Sequence, residues 1–238
     1  ANRELERICR AYRLPCVSGK DSMKNDYGKG PDKISIPPTL LFSLFGDHPD
    51  VRNSATSDLK HPGDKLYLVG ESLEELGASE LAFMMTENGQ SAGIGGNVPL
   101  LSDPDRLFST YRALSKTINS GVVKTAHDCS EGGVGVAIAE MCIGGRIGAK
   151  IDIDGTGNTS MLARLWGESL GRIIVAVSPQ NNAKFLEMMA GHTTTLLGEV
   201  EATTKLNIVD GFDELISIEV NDLVTSWQGT LDLTGGVA

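Results

Sequence analysis

Val134 to Cys142 (VGVAIAEMC) carries a single charged residue and is apolar at every helical turn. A helix with almost no polar face cannot lie on a surface, so other elements must cover it on most sides. It follows a polar turn, His127 to Gly133 (HDCSEGG), that ends in the glycine pair Gly132 and Gly133. Ahead of the turn, Val122 to Ala126 reads as a short strand. Strand, polar turn, glycine pair and buried helix together point free amide N–H groups and the positive end of the helix dipole into whatever cleft the turn lines. The turn is therefore the best candidate in the chain for holding a metal-bound or phosphorylated ligand. The same residues also read as a helix cap, with Ser130 or Asp128 satisfying first-turn amides.

What covers that helix is visible in the remaining pattern. Asp64–Gly70, Ile147–Ile153, Gly171–Val177, Thr193–Val200, Lys205–Val209 and Leu215–Ile218 read as strands, and the first of these opens a domain. Ser79–Thr86, Pro104–Ile118, Met161–Trp166, Asn181–Met189 and Val220–Leu231 read as helices. Strands alternating with helices predict an α/β (α+β) fold for this part. Upstream, Asn2–Tyr12 places Leu5, Ile8 and Cys9 on one helical face, and Pro15 ends the pattern. The second half of Ile34–Phe45, from Thr39, reads as a core strand with Pro37 and Pro38 at its edge. Gly46–Gly63 is rich in turn formers and poor in apolar residues, which makes it the expected domain boundary.

Composition narrows the function. The 238 residues are 40% hydrophobic and 22% charged, an ordinary globular balance. No apolar run approaches the roughly 18 residues that span a bilayer, and Ala1–Arg10 lacks the apolar stretch of a signal peptide, so the expectation is a cytoplasmic chain with no membrane partner. A formal net charge of −10 argues against nucleic acid. Residues 1 to 60 hold ten Lys/Arg against eight Asp/Glu, which leaves −12 for residues 61 to 238. An anionic small molecule would find its counter-charge mainly in the first quarter. The four cysteines never approach C-x-x-C spacing, so zinc and disulfide scaffolding are disfavoured and buried free thiols are expected.

Three further constellations carry polar chemistry. Ser18–Ser22 (SGKDS), with Lys24 and Asn25 behind it, combines a glycine for close backbone approach, hydroxyl donors and a lysine charge. Its spacing is not that of a P-loop. In Gly167–Arg172 (GESLGR), Glu168 and Arg172 either line a site or pair with each other. In Leu76–Glu80 (LGASE), Ser79 reads as a helix cap. Asp128 is the residue of the opening turn that suits Mg2+ bridging phosphates, because a hard cation prefers oxygen ligands.

Taken in order, PCVSGKDSMKN, IPPT ahead of a strand, GDKLYLVG, EELGASE and AHDCSEGGVGVAIAEM resemble the phosphoribosylformylglycinamidine synthase family, ATP- and glutamine-dependent amidotransferases of purine biosynthesis. The likeness runs from about Ala11 to Ala176 and more weakly to Trp227. Synthase chains of this family have two related halves, each with an aminoimidazole ribonucleotide synthetase-like N-terminal and C-terminal domain. The SGKDS and HD-x-S-x-GG forms are similar to those of the second half. The resemblance implies the end of an N-terminal-type domain over residues 1–59. Over residues 60–238 it implies the mixed sheet with helices of the aminoimidazole ribonucleotide synthetase C-terminal domain.

The resemblance also implies chemistry. In such enzymes ATP activates the amide oxygen of formylglycinamide ribonucleotide, ammonia attacks the formamide carbon, and ADP and phosphate leave. Ser18, Gly19, Lys20, Asp21 and Ser22 would meet the ribonucleotide phosphate, with Asn25 nearby. Asp128 would ligate Mg2+, Ser130, Gly132 and Gly133 would contact ATP or ADP, and His127, Glu168 and Arg172 would line the site. The metal's other acidic ligands, the first half of the synthase and a glutaminase domain or subunit are expected outside these 238 residues. The expectation is thus a ligase fragment, inactive alone and prone to self-association through surfaces it normally covers. The alternatives are a non-catalytic nucleotide-binding or structural domain, or another member of the superfamily such as a selenophosphate synthetase or thiamine-phosphate kinase. Two residues depart from the family pattern, Glu131 where aspartate is more frequent and Ala78 where a glycine is usual. Both read as mild changes.

Overall fold

The computed structural model describes residues 2–17, 26–35, 42–48, 50–87 and 95–229. The chain divides into two compact units, Ala1–Val51 and Arg52–Ala238.

In the first unit, α1 (Asn2–Tyr12) forms where the sequence places it and is held on its surface by Arg7–Glu4 and Arg10–Glu6 ion pairs. It ends in a left-handed residue, Arg13 at φ 55°, with Leu14 N–H bonded to the Cys9 carbonyl at 2.9 Å and Arg13 N–H to the Arg10 carbonyl at 3.3 Å. That hydrogen-bond pair is a Schellman closure, which turns the chain back along the helix. β1 (Asp26–Tyr27) and β2 (Ile34–Ser35) form a short antiparallel ladder. The core strand expected through Phe45 is not found over residues 42–48, which form no regular element and leave Phe42, Leu44 and Phe45 exposed. Apolar pattern alone does not make a strand, because backbone N–H and C=O groups need a neighbouring edge, and no described strand pairs with this run.

The second unit begins with β3 (Lys65–Val69), α2 (Glu80–Glu87), α3 (Pro104–Asn119) and β4 (Thr125–Asp128). Then come α4 (Gly133–Gly145), β5 (Gly148–Asp152), α5 (Met161–Trp166), β6 (Ile173–Val177) and α6 (Asn182–Met188). β7 (Thr194–Glu201), β8 (Lys205–Asp210), β9 (Asp213–Glu219) and α7 (Val220–Gly229) complete it. The strands form one mixed sheet in the order β4-β6-β3-β7-β5-β8-β9, antiparallel at every pairing except β5 with β8. No helix among the described residues is long and apolar enough to cross a membrane.

Alternation along the central strands explains why they read as continuous apolar runs. Leu66 and Leu68 of β3, with Ile174 and Ala176 of β6, face one core, where Ile138 and Met141 of α4 and Val224 of α7 are buried. Tyr67, Val69, Val175 and Val177 face the other, against Leu114 of α3 and Phe185 of α6. α4 is covered as its composition demands. Ile138, Met141 and Cys142 have no exposed surface, and Gly135 lets the Trp166 ring approach so closely that a Cβ would stand 2.6 Å from it.

Two boundaries differ from the sequence pattern. The sequence puts the domain division after Leu59, whereas residues 52–59 join the second unit: Leu59 is buried in its core and Thr56 exchanges backbone hydrogen bonds with Lys124 and Ala126. The strand expected at Val122–Ala126 runs instead from Thr125 to Asp128. Val122 and Val123 fill the second core ahead of it, and the ladder with β6 extends to the Asp128–Ile173 pair. His127 and Asp128 are therefore strand residues, fixed by the sheet rather than by the turn.

Candidate functional site

The Asp128–Ile173 register places the end of β4 beside the start of β6, and an open cleft of about 370 Å³ lies there. Asp128, Ser130, Glu131, Glu168 and Arg172 bring polar groups to it, and Pro99, Tyr111 and Leu170 bring apolar and aromatic surface.

Asp128 presents a carboxylate whose side chain is 70% exposed. Its Oδ2 accepts from Ser130 Oγ at 2.5 Å, and Oδ1 stands 3.4 Å from His127 Nδ1. The Ser130 hydrogen bond holds this carboxyl below its usual range against an opposing push from partial burial. His127 Nε2 is 2.9 Å from Glu140 Oε2. Glu140, the lone charge in the apolar helix, is a residue the sequence reading passed over. An isolated charge in an otherwise apolar helix is the signal that would have singled it out, since it marks a position of the helix that reaches solvent.

Gly132 and Gly133 are both left-handed, at φ 74° and 63°, and a Cβ on Gly133 would stand 2.4 Å from the Gly167 carbonyl oxygen. No side chain is tolerated at that position. The amides of this pair are engaged within the chain: Gly132 N–H donates to Glu168 Oε1 at 2.9 Å, and Gly133 N–H to the Ser130 carbonyl at 3.0 Å. Glu168 Oε1 also accepts from Glu80 N–H at 2.8 Å, at the first residue of α2. One carboxylate oxygen thus anchors the starts of α2 and α4. Ser79 is the cap its sequence suggests, accepting from Ala82 N–H at 3.2 Å and donating to the Leu76 carbonyl at 2.7 Å.

Arg172 is 1% exposed. Its guanidinium donates to Ser72 Oγ at 2.9 Å, to the Ser169 carbonyl at 3.2 Å and to the Gly167 carbonyl. Burial lowers its pKa, while Cys129, Glu75 and Glu168 oppose that shift electrostatically. Glu168 and Arg172 both line the cleft, but the hydrogen bonds of each go elsewhere. Arg172 braces the Gly167–Arg172 turn from inside. Glu75, a buried carboxylate accepting from Leu100 N–H at 3.1 Å, belongs to the same underlayer and was not foreseen.

Ser18, Gly19, Lys20, Asp21, Ser22 and Asn25 lie outside the described residues. Among the described residues, no group of three or more His, Cys, Asp or Glu side chains gathers in metal-ligating geometry. Asp128 and Ser130 supply two ligating side chains, fewer than the near-octahedral shell Mg2+ requires, so the described residues do not by themselves make an Mg2+ site. Cys129 and Cys142 are buried thiols, both pushed up to about 12 by burial. Cys9 and Cys16 depart from the expected burial and lie with their sulfurs 3.6 Å apart. The Schellman turn after α1 brings them together, a reversal invisible in their spacing.

Residues 61–211 match the family described as AIR synthase related protein, C-terminal domain. The chain belongs to this family. It is 34% identical over 231 residues to the phosphoribosylformylglycinamidine synthase subunit PurL of Deinococcus radiodurans, a match covering 94% of this chain and 30% of that protein. The PurL subunit of Limosilactobacillus reuteri is 34% identical over 222 residues, covering 93% of this chain and 27% of that protein. The chain therefore spans about 30% of the length of these curated relatives. Among solved structures, Thermotoga maritima PurL complexed with FGAR superposes with a TM-score of 0.59 at 20% identity, over 73% of this chain and 30% of that one. The same organism's PurL complexed with ATP gives a TM-score of 0.55 at 21% identity, over 73% and 28%. These likenesses establish the fold, a mixed sheet with helices of the AIR synthase C-terminal type.

Proposed function

We propose that the chain is part of a phosphoribosylformylglycinamidine synthase and that the Asp128–Ser130 cleft is one wall of its nucleotide site. The observation that carries this reading is the Asp128 carboxylate, held below its usual range by its Ser130 hydrogen bond and open to solvent beside a bound helix N-terminus. The ATP- and FGAR-bound PurL structures of the same fold support it. In the whole synthase, ATP-activated formylglycinamide ribonucleotide takes up glutamine-derived ammonia from a glutaminase domain or subunit. Ser18–Ser22 would hold the substrate phosphate. This chain contributes Asp128 as a single carboxylate toward an Mg2+–nucleotide and Ser130 as a hydroxyl. Since the Gly132 amide is taken by Glu168, phosphate recognition there falls to Ser130 unless Glu168 is displaced.

By itself the chain is inactive in this reading. Purified chain supplied with ATP, formylglycinamide ribonucleotide and ammonia is expected to release no ADP, and substrate-dependent release would overturn the reading. Calorimetry with ADP and Mg2+ tests the wall directly. Weak binding abolished by Asp128→Ala is the expected result, and binding that Asp128→Ala leaves unchanged counts against it. Tight binding lost in the variant would favour the alternative of a self-sufficient nucleotide-binding domain.

A further inference from the structure

We propose that Cys9 and Cys16 form a redox-active dithiol that closes to an intramolecular disulfide by exchange with low-molecular-weight disulfides of the glutathione class. The inference is independent of the ligand assigned to the Asp128 cleft.

The pairing is built by the helix end. Arg13 in the left-handed region and the two Schellman hydrogen bonds fold Leu14–Cys16 back along α1, so residues seven apart in sequence bring their sulfurs to 3.6 Å. Bonded sulfurs stand about 2.05 Å apart, so closure asks for a further approach of about 1.5 Å between them. Both thiols line one open cleft of about 440 Å³ together with Leu5, Glu6, Arg10 and Leu14. A tripeptide disulfide can reach them there. Cys16 is exposed and Cys9 half-buried, whereas Cys129 and Cys142 are sealed in the core, with thiols at about 12 that do not ionise near neutral pH.

The order of attack follows from the environment. The hydrogen bond with Cys16, joined by desolvation and by the neighbouring sulfur's charge, holds the Cys9 thiol above its ordinary range. The exposed Cys16 thiolate therefore attacks one sulfur of the glutathione disulfide and expels one glutathione thiolate, leaving a mixed disulfide on Cys16. The Cys9 thiolate then attacks Cys16 Sγ and expels the second. One S–S bond breaks and one forms, two electrons pass from the cysteines to the glutathione disulfide, and the two cysteine protons end on the glutathione thiols. The resulting ring staples the end of α1 to the segment that follows it.

The test equilibrates the reduced 238-residue chain with glutathione buffers of graded reduced-to-oxidised ratio, followed by acid quench, alkylation and mass spectrometry. The expected product has lost two of its four thiols, carries no glutathione, maps to a Cys9–Cys16 link and forms independently of protein concentration. In Cys9→Ser and in Cys16→Ser, glutathione accumulates on the remaining cysteine of the pair, because no second thiol is there to expel it. Ring closure in the folded chain is expected to exceed closure in concentrated urea by at least about tenfold in equilibrium constant. Four free thiols at oxidising ratios, a persistent glutathione adduct in the wild type, links between chains, or equal closure in urea would each overturn the proposal.

Discussion

The carboxylate of Glu168 accepts a hydrogen bond from the backbone N–H of Gly132 at 2.9 Å, and the same oxygen accepts from Glu80 N–H at 2.8 Å. A side chain of the chain's own thus sits where the glycine turn offers an amide to an anion. The two donors are at the N-terminal ends of helices, where the dipole favours a negative group. Glu168→Ala leaves both amides without this acceptor and is expected to lower stability by about 1–3 kcal/mol in urea denaturation. Glu168→Gln keeps an acceptor oxygen and should lose less. Equal losses from the two substitutions would mean that the hydrogen bonds contribute nothing.

Arg172 supports the same turn from beneath, through Ser72, Ser169 and Gly167. Its removal orphans three acceptors in a region that excludes water. Arg172→Met is expected to cost about 3 kcal/mol or more, and Arg172→Lys to recover little of it, because a single ammonium cannot replace a planar fork of donors. Thermal unfolding reads this as a fall of roughly 2–4 °C per kcal/mol for a domain of this size.

What the sequence made legible follows the range of the interactions involved. Period-two and helical patterns located every described strand and α-helix of the second unit to within a few residues, because most of them bury a face in one of the two cores on either side of the sheet. The glycine pair announced itself because only glycine tolerates the backbone found there. The Glu168–Gly132 and His127–Glu140 bonds were not legible, since they join residues 36 and 13 positions apart through the fold. Residues 42–48 misled because apolar composition says how strongly a segment seeks cover and not whether a partner edge is present. Val122 and Val123 misled in the opposite way, being core residues just outside a strand.

Ala78 shows how a change of one methyl can carry more strain than composition suggests. It sits at φ 60°, exposed, one residue before the cap of α2. A Cβ in the left-handed region costs roughly 1–2 kcal/mol, partly offset when glycine adds entropy to the unfolded chain. Ala78→Gly is therefore expected to stabilise the second unit by about 0.5–1 kcal/mol, measured as a higher urea midpoint with unchanged slope. A lower midpoint would show that the turn does not store this strain.

Asp58 and Asp64 make opposite pH dependences within the same stretch of chain. Asp58 is held below the usual carboxylate range, first by the Thr56 hydroxyl that donates to it at 2.5 Å and then by Lys60, while desolvation opposes. Its folded pKa lies below the unfolded one. The stability it adds is therefore complete above the ordinary carboxylate pKa of about 4 and is lost as pH falls through the folded value. Asp64, 8% exposed, is pushed up by burial, with His61 and Lys60 pulling only partly back. Its folded pKa exceeds the unfolded one, so its contribution is most favourable at acid pH and declines as pH rises through the folded value. Thr56→Val should lower the urea midpoint at about pH 7 and lose that effect in acid, whereas Asp64→Asn should raise the midpoint at about pH 7 and lose its advantage below about pH 4. Offsets that stay constant across the pH range would show that neither carboxyl is perturbed by the contacts assigned to it.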